Sequence, residues 1–424
     1  MHKILLFSFS GFSDENANGI TMKNLLSAWT PAEKAEFYCD VQPPDYTAAH
    51  HYFRVTDTQM LKAFLGKRAQ NIFSHGADGV TQFVKSNQKT PKRIPAWLKK
   101  HKYNFWLKSA REYLWMLSPW GHRKLDQWIL DMDPDVIAYM VGESLFMDKL
   151  VLRTCQRLGK PLVLYNAEAF RIIDTNKRYG LERVYYKKIK KLYARLNDRA
   201  ALIIYNSQLL QDGYEEEYPR RAEAVVTYNS AQCNQPAYEP KGTLKIVYFG
   251  NMGVGRSDVL LETAEILGRI HKDLVLDIYG NTTEDYVRKF QVCPNICYHG
   301  FVDAQQLHRI VGEADILLHV ESFDEEIMAR LKYAFSTKIA QCLCAGRCFV
   351  SYAPQQTAST QYLLSSGGAV VASDARELEL RLTELVNDGA LRQQYAQRAL
   401  QAGLQKHCMQ KTAEEIRKMI EEIA

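Results

Sequence analysis

Long hydrophobic runs are missing from this sequence: no stretch approaches the ~18 apolar residues needed to span a bilayer. The opening segment, MHKILLFSFSGFSDEN, also lacks the apolar length and the small-residue cleavage site of a signal peptide, so Ile4–Phe9 reads as a first strand. The nine cysteines are an odd, scattered set without a disulfide framework, which suits a reducing cytoplasm. Cys342 and Cys344 stand two apart in a helical stretch, and Cys293 and Cys297 flank a Pro-Asn turn; all four read as small buried hydrophobes and not as metal ligands. The acidic run Asp324-Glu325-Glu326 has no Asp-x-Asp spacing and reads as a solvated loop. The expectation is a protein with no resident metal.

What is present is ordinary globular material, 46% hydrophobic and 24% charged, in a chain of 424 residues that exceeds what one core usually serves. Two domains are expected. The net charge of +6 is unevenly placed: residues 1–240 carry a balance of +9 and residues 241–424 one of −3. The basic excess belongs to the first half alone.

Both halves alternate short apolar runs with helical stretches, the pattern of open parallel sheets. Candidate strands in the first half are Ile4–Phe9, Ala35–Val41, Asp135–Val141, Pro161–Tyr165, Ala200–Tyr205 and Ala224–Tyr228. The polar stretch Asn229–Gly242, with two prolines, reads as a linker. A second series follows: Leu244–Phe249, Leu274–Tyr279, Asn295–Tyr298, Asp315–Val320, Cys348–Tyr352 and Ala369–Ala372. Loops past the carboxyl ends of parallel strands are where such sheets bind ligands. That rule marks Asn18 and Gly19, just before the first helix, as a place where a backbone N–H approaches a substrate. It also marks Glu143 and Glu168, each a carboxylate shortly after a strand. Near the end, Ala413, Ile416, Met419, Ile420 and Ile423 form one helical stripe.

Residues 85–124 interrupt the α/β rhythm with eleven Lys and Arg against one Glu, interleaved with Trp97, Tyr103, Phe105, Trp106, Tyr113, Trp115 and Trp120. Rings at an interface and ammonium groups on headgroups fit an anionic membrane surface. Two other readings compete: a helical insertion whose aromatics make local core, and a nucleic-acid surface. The basic stretch Arg183–Arg195 extends the same face in the membrane reading.

In the second half, GNMGVGR (250–256) is a glycine-rich turn between strand and helix. Its glycines, Gly250, Gly253 and Gly255, do not have the dinucleotide G-x-G-x-x-G spacing, and no acidic ribose partner ends the next strand. A glycine loop with Arg256 suits a diphosphate gripped from one side. From His319 to Val350 the chain reads as strand, acidic loop, basic segment, helix, glycine turn and strand. Ser336 or Thr337 is the expected N-cap, Gly346 the stop, and Ile339, Cys342 and Leu343 the apolar side. Lys338 in the first turn opposes the helix dipole, so it points to a ligand phosphate at the free N–H groups. Arg256 and Lys338 are both expected to be exposed.

The run YAFSTKIAQCLCAGRCFV (333–350) resembles the donor-site helix of glycosyltransferase family 4, which reads like F-S-x-K-x-x-E-Y-L-A-A-G-[KR]-P-V. Phe335, Ser336, Lys338, Leu343, Ala345, Gly346 and Arg347 carry the match, and the family's ribose-binding glutamate falls on Gln341. Tyr298-His299-Gly300-Phe301 and Ala314-Asp315-Ile316-Leu317 are similar to a neighbouring stretch of the family. The resemblance covers residues 244–372; the first half matches only in architecture and in the GITMKNL loop.

What the resemblance implies is a GT-B fold: two Rossmann-like α/β domains facing across a cleft, with a basic helical insertion in the first. Residues 1–235 are then an acceptor domain, 236–405 a donor domain, and 406–424 a helix crossing back onto the first. It further implies retaining transfer of a hexose from a nucleotide-diphosphate sugar, a UDP-sugar first, without metal or cofactor. Arg256, Lys338 and the amides of Ser336 and Thr337 would stabilise the leaving diphosphate, beside Gly253, Gly255, Glu321 and Gln341. Glu143 falls near a position that in the family contacts the donor sugar, and Asn18, Gly19 and Glu168 would line the cleft. The acceptor is a saccharide, lipid-linked if residues 85–124 meet an anionic membrane, as in bacterial surface polysaccharide synthesis. Nucleic acid is not an expected partner, and the expected location is cytoplasmic, on the inner face of the cell membrane. The alternatives are a nucleotide-sugar epimerase of the same fold and a non-catalytic partner subunit.

Overall fold

The computed structural model describes the chain apart from residues 1, 68–71, 75–104, 173, 176–177, 220–221, 241 and 243. Trp97, Lys99, Lys100, Lys102 and Tyr103 of the basic aromatic segment lie outside the described residues. The chain divides into two compact units, residues 1–226 with 413–424, and residues 227–412.

In the first unit, β1 (Ile4–Phe7), β2 (Lys34–Tyr38), β3 (His51–Arg54), β4 (Ile72–Ser74), β5 (Val136–Met140), β6 (Leu162–Asn166), β7 (Ala200–Tyr205) and β8 (Glu223–Val226) form one sheet. Its order is β4-β3-β2-β1-β5-β6-β7-β8, parallel except for the β3–β4 pair. The helices are α1 (Ala17–Leu25), α2 (Asp57–Phe64), α3 (Phe105–Leu117), α4 (His122–Met132), α5 (Leu145–Leu158), α6 (Gly180–Arg199) and α7 (Gln208–Glu217). β1 and β5 are buried throughout because helices cover both faces, which is why they read as unbroken apolar runs. β3 and β4 escaped the sequence reading: HYFR and IFS are short, and HYFR carries a polar residue at each end.

The second unit holds β9 (Ile246–Phe249), β10 (Leu276–Tyr279), β11 (Ile296–Gly300), β12 (Ile316–Val320), β13 (Cys348–Tyr352) and β14 (Val370–Ala372). All six expected strands are present, all parallel, in the order β11-β10-β9-β12-β13-β14. Numbered within the unit this is 3-2-1-4-5-6, the doubly wound arrangement. Its helices are α8 (Arg256–Ile270), α9 (Glu284–Val292), α10 (Ala304–Glu313), α11 (Glu325–Leu331), α12 (Thr337–Cys344), α13 (Ala358–Ser366), α14 (Ala375–Asn387) and α15 (Gly389–Lys406). Side-chain alternation splits the strands between two cores. Ile246, Tyr248, Ile316, Leu318 and Val350 face one, and Val247, Phe249, Leu317 and Phe349 the other. Each such side chain, fully withdrawn from water, contributes about 1.5–3 kcal/mol.

The last helix, α16 (Met409–Ile423), leaves the second unit and places Ile416 and Ile420 in the core of the first, with Met419 and Ile423 packed on it.

Several expectations need correction. Trp115 and Trp120 do not sit at a surface; both are fully buried. Trp115 stacks on Phe146 at 4.3 Å and its indole N–H donates to Asp57 at 2.7 Å. Burial of a large ring with its N–H satisfied outweighs any interfacial role, so this part of residues 85–124 is core of the first unit. Trp106, by contrast, is 64% exposed. The stretch Asn229–Gly242 is not a free linker, because Tyr238 is buried and donates its hydroxyl proton to Asp315 at 2.7 Å. Asp324, Glu325 and Glu326 are exposed as expected, but Asp324 also has a role, as the N-cap of α11, accepting from the Ile327 N–H at 3.0 Å. Cys342 and Cys344 are buried as expected, whereas Cys293 is half-buried and Cys297 exposed.

Candidate active site

In the second sheet the strand order reverses between β9 and β12, and a crevice opens past the carboxyl ends of such a pair. β9 runs directly into the glycine loop and Arg256; β12 runs directly into Glu321. The chain then passes through α11 and re-enters the same place with α12, whose first turn carries Lys338. Three segments distant in sequence thereby put two cations and a carboxylate together.

The Arg256 guanidinium Nη2 lies 2.9 Å from Glu321 Oε1 and 2.8 Å from Oε2. Its Nε–H is buried and has no acceptor among the described residues. Behind the carboxylate, His319 Nε2 stands 3.3 Å from Glu321, while His319 Nδ1 meets Ser351 Oγ at 3.2 Å. Lys338 donates from Nζ to the Tyr248 hydroxyl at 2.8 Å, with the ammonium 4.3 Å above the same ring. Neither cation is exposed as expected. Arg256 is 14% exposed, and Lys338 lies along the glycine loop so closely that a Cβ on Gly250 would meet its Cδ at 2.7 Å.

The loop geometry explains its glycines. Gly255, at φ 75°, caps α8, and a Cβ there would stand 2.5 Å from Ser322 Oγ. Val254 beside it adopts φ 60°, a left-handed conformation that costs a β-branched residue about 1–3 kcal/mol and persists where the surroundings over-determine it. Gly253 is exposed and gives its N–H to Asn251 Oδ1 at 2.7 Å. At α12, Ser336 is the N-cap but its hydroxyl makes no capping bond. Its N–H goes to Ser359 Oγ at 3.1 Å, so the amides open to a ligand are those after it, beginning with Thr337. Gln341 is exposed one turn further on.

The electrostatics follow from burial. Withdrawal from water, reinforced by Arg256, brings the Lys338 ammonium down to about 7, although Glu321 opposes the shift. Burial resists ionisation of Glu321, but the His319 hydrogen bond and the Arg256 charge overcome it and bring the carboxyl down to about 2. His319, wholly buried, is lowered and held neutral by desolvation. Among the described residues, the crevice thus brings Arg256 and Lys338 to one carboxylate, Glu321, which Arg256 already engages.

The first sheet has its own reversal, between β1 and β5. Glu143, past β5, is ion-paired with Lys108 of α3. Its loop is gripped from two sides. Arg171, fully buried, donates to the Gly142 carbonyl and to Asp148 Oδ1, the latter at 2.8 Å. Glu112 of α3 accepts from Ser144 Oγ at 2.8 Å and from the Phe146 N–H at 3.1 Å. Glu168, past β6, has an exposed side chain, and its carbonyl accepts from the Tyr214 hydroxyl at 2.8 Å. Asn18 and Gly19 do not precede the helix but lie in its first turn. The Gly19 N–H is taken by the Asn16 side chain at 2.7 Å, and a Cβ on Gly19 would collide with the Gly11 carbonyl at 2.6 Å. Gly19 thus serves close packing and not ligand approach; Asn18 is exposed.

The sequence reading missed Tyr248, His319, Glu112 and Arg171. His319 had a visible signal, a lone imidazole in the apolar run DILLHV. The others had none, because their partners are remote in sequence.

Comparisons with known proteins address the fold. Residues 256–418 match the family described as "Glycosyl transferase-like". No curated protein matches the sequence. Among solved structures, the chain is similar to HepE of Anabaena in complex with UDP, with 14% identity, a TM-score of 0.63, and 99% of this chain and 100% of that one covered. It is similar to sucrose-phosphate synthase of Thermosynechococcus elongatus, with 10% identity, a TM-score of 0.62, and 100% and 99% covered. It is also similar to WaaG, a glycosyltransferase involved in lipopolysaccharide biosynthesis, with 12% identity, a TM-score of 0.53, and 97% and 99% covered. The fold of the whole chain is GT-B, and the family match falls mostly within its second unit.

Proposed function

We propose that the protein is a retaining glycosyltransferase that moves a hexose from a nucleotide-diphosphate sugar, a UDP-sugar first, to a saccharide acceptor. The observation that carries this reading is the meeting of Arg256 and Lys338 at the strand reversal of the second sheet. There the Arg256 Nε–H has no acceptor among the described residues, and the start of α12 is uncapped by its serine. A diphosphate in this crevice supplies the acceptors. As the bond to the sugar breaks, negative charge grows on the leaving phosphate, and preorganised cations and amides stabilise it most at that moment. The ammonium of Lys338, near neutrality when the site is empty, is held charged once a phosphate arrives. In this reading the reacting centre takes no metal ion or cofactor. Gly253 and Gly255 shape the phosphate approach, Glu321 positions Arg256 beside the sugar, and Gln341 meets the ribose. Glu143 acts at the reacting centre, near the donor sugar, and Glu168 serves the acceptor side. Retention rests on the family resemblance.

The acceptor is lipid-linked in this reading, as in bacterial surface polysaccharide synthesis, with the enzyme peripheral on the inner face of the cell membrane. Among the described residues no helix is long and apolar enough to cross a membrane. Support comes from one exposed face of the first unit. On α6, Leu181, Val184, Lys188, Lys191 and Arg195 share a helical stripe, and α3 adds exposed Trp106, Tyr113 and Leu117. Lys188 Nζ lies 3.4 Å from the Tyr113 hydroxyl, so the two stripes adjoin, and Lys149, Lys188, Lys191 and Arg195 line a cavity of about 220 Å³ between them. Apolar side chains among cations suit an anionic headgroup layer.

The test is release of free nucleotide from a panel of nucleotide-sugars, first ranked by the rise in Tm that each causes. Release that depends on added saccharide acceptor supports transfer. Interconversion of the sugar without acceptor identifies an epimerase, and binding with neither outcome a non-catalytic subunit.

A further inference from the structure

At the edge of the second sheet stand three side chains that the proposed reaction does not use. Asp277 of β10 and Cys297 of β11 are partners across the parallel pair, and His299 follows Cys297 by two residues. The register shifts just beyond, so that His299 is the extra residue of a bulge, and its contacts with Asp277 and Tyr279 set it on the same face. One donor atom from each, a carboxylate oxygen, the thiol sulfur and an imidazole nitrogen, lies within 4.8 Å of the other two. His299 Nε2 meets Asp277 Oδ1 at 2.7 Å, and the Tyr279 ring lies flat on the imidazole, 4.4 Å away and tilted by 6°. The ring plane of His299 is thereby fixed, with its Nε2 on the Asp277 carboxylate.

We propose that Asp277, Cys297 and His299 bind a zinc ion, with water in the fourth position. Thiolate, imidazole and carboxylate together are the ligand types that zinc takes, whereas magnesium and calcium prefer oxygen alone. A tetrahedral zinc with bonds of about 2.0–2.3 Å sets its ligand atoms roughly 3.3–3.7 Å apart. The imidazole–carboxylate pair has only to open slightly, with the ion replacing the shared proton, and the exposed Cys297 side chain is free to turn inward. The imidazole must be neutral and the thiol must lose its proton to water, so binding releases protons. An ordinary Asp–His surface pair accounts for two of the three groups but gives no reason for a thiol at the facing position. Because the ligands come from two strands, the ion cross-links the edge strand β11 to β10. β10 ends at Tyr279, whose carbonyl accepts from the N–H of Gly250, the first residue of the glycine loop, at 2.8 Å. The zinc lies outside the proposed chemistry, and its detection needs no nucleotide-sugar.

Full-length protein freed of metal by chelation is titrated with Co²⁺, whose bond to a thiolate gives a charge-transfer band in the near ultraviolet. One equivalent should bind with that band, and Zn²⁺ should bleach it and raise the Tm. Cys297→Ser and His299→Ala should each abolish the band, and Cys293→Ser should keep it. Circular dichroism checks that the variants fold, which their exposed positions favour. Absence of the band in the wild type, or its survival in Cys297→Ser, overturns the proposal; the second result would place the metal on other cysteines.

Discussion

Arg256 and Glu321, 65 residues apart in sequence, lie 2.8 Å apart at the point where the second sheet reverses its strand order. The pair is almost withdrawn from water, so each partner is costly without the other. Glu321 therefore holds the guanidinium in place while leaving its Nε–H for a ligand.

That relationship separates two effects of one substitution. Arg256→Ala should lower turnover roughly 10²-fold or more by removing a charge from the leaving phosphate. It should also cost about 3 kcal/mol of stability in denaturant unfolding, because Glu321 stays buried without its cationic partner. Adding Glu321→Gln should recover much of the stability and none of the turnover. Wild-type turnover in Arg256→Ala would remove the phosphate assignment.

Lys338 predicts a pH dependence. Its ammonium titrates near 7 in the empty site, because burial and Arg256 disfavour the charge, and a bound diphosphate raises that value. Below 7 the lysine is charged in both states and affinity is flat. Above 7 binding must recruit a proton, so nucleotide affinity should fall about tenfold per pH unit until the bound-state value is reached. Calorimetry in buffers of different ionisation enthalpy should record proton uptake near pH 8. The slope should disappear in Lys338→Met; if it persists, another group is responsible.

Gln341 stands where the resembling family has a glutamate, and it is exposed. Gln341→Glu should tighten nucleotide binding by about 1 kcal/mol, the gain of a charged over a neutral acceptor for the ribose hydroxyls. The Tm without ligand should not change. Equal or weaker binding would mean that α12 is not used as in that family.

The adjoining faces of α3 and α6 should bring the protein down with liposomes containing anionic lipid, and much less with neutral ones. Binding should weaken as salt rises from about 0.1 to 1 M, as the Debye length falls from ~10 to ~3 Å. Lys188→Glu, Lys191→Glu and Arg195→Glu together should release it, while transfer to a short soluble acceptor continues. No pelleting of the wild type at low salt would assign this face to another partner.

The sequence by itself determined the architecture and part of the candidate site. Twelve apolar runs of strand length, spaced by helical stretches, were enough to define two parallel-sheet units, because a strand buried on both faces must be apolar along its length. The glycine loop, the N-cap at Ser336 and the stop at Gly346 were legible because each depends on the conformation of a few neighbouring residues. Tertiary structure alone decided the rest. It placed Trp115 and Trp120 in the core, since whether a ring meets water depends on what packs over it. It closed the Gly19 N–H with the Asn16 side chain, and it set Glu321 against Arg256 and Lys338 against Tyr248. Burial and partner charges fix whether a lysine titrates near 7 or a carboxyl near 2, and those arise only when remote segments meet at one strand reversal.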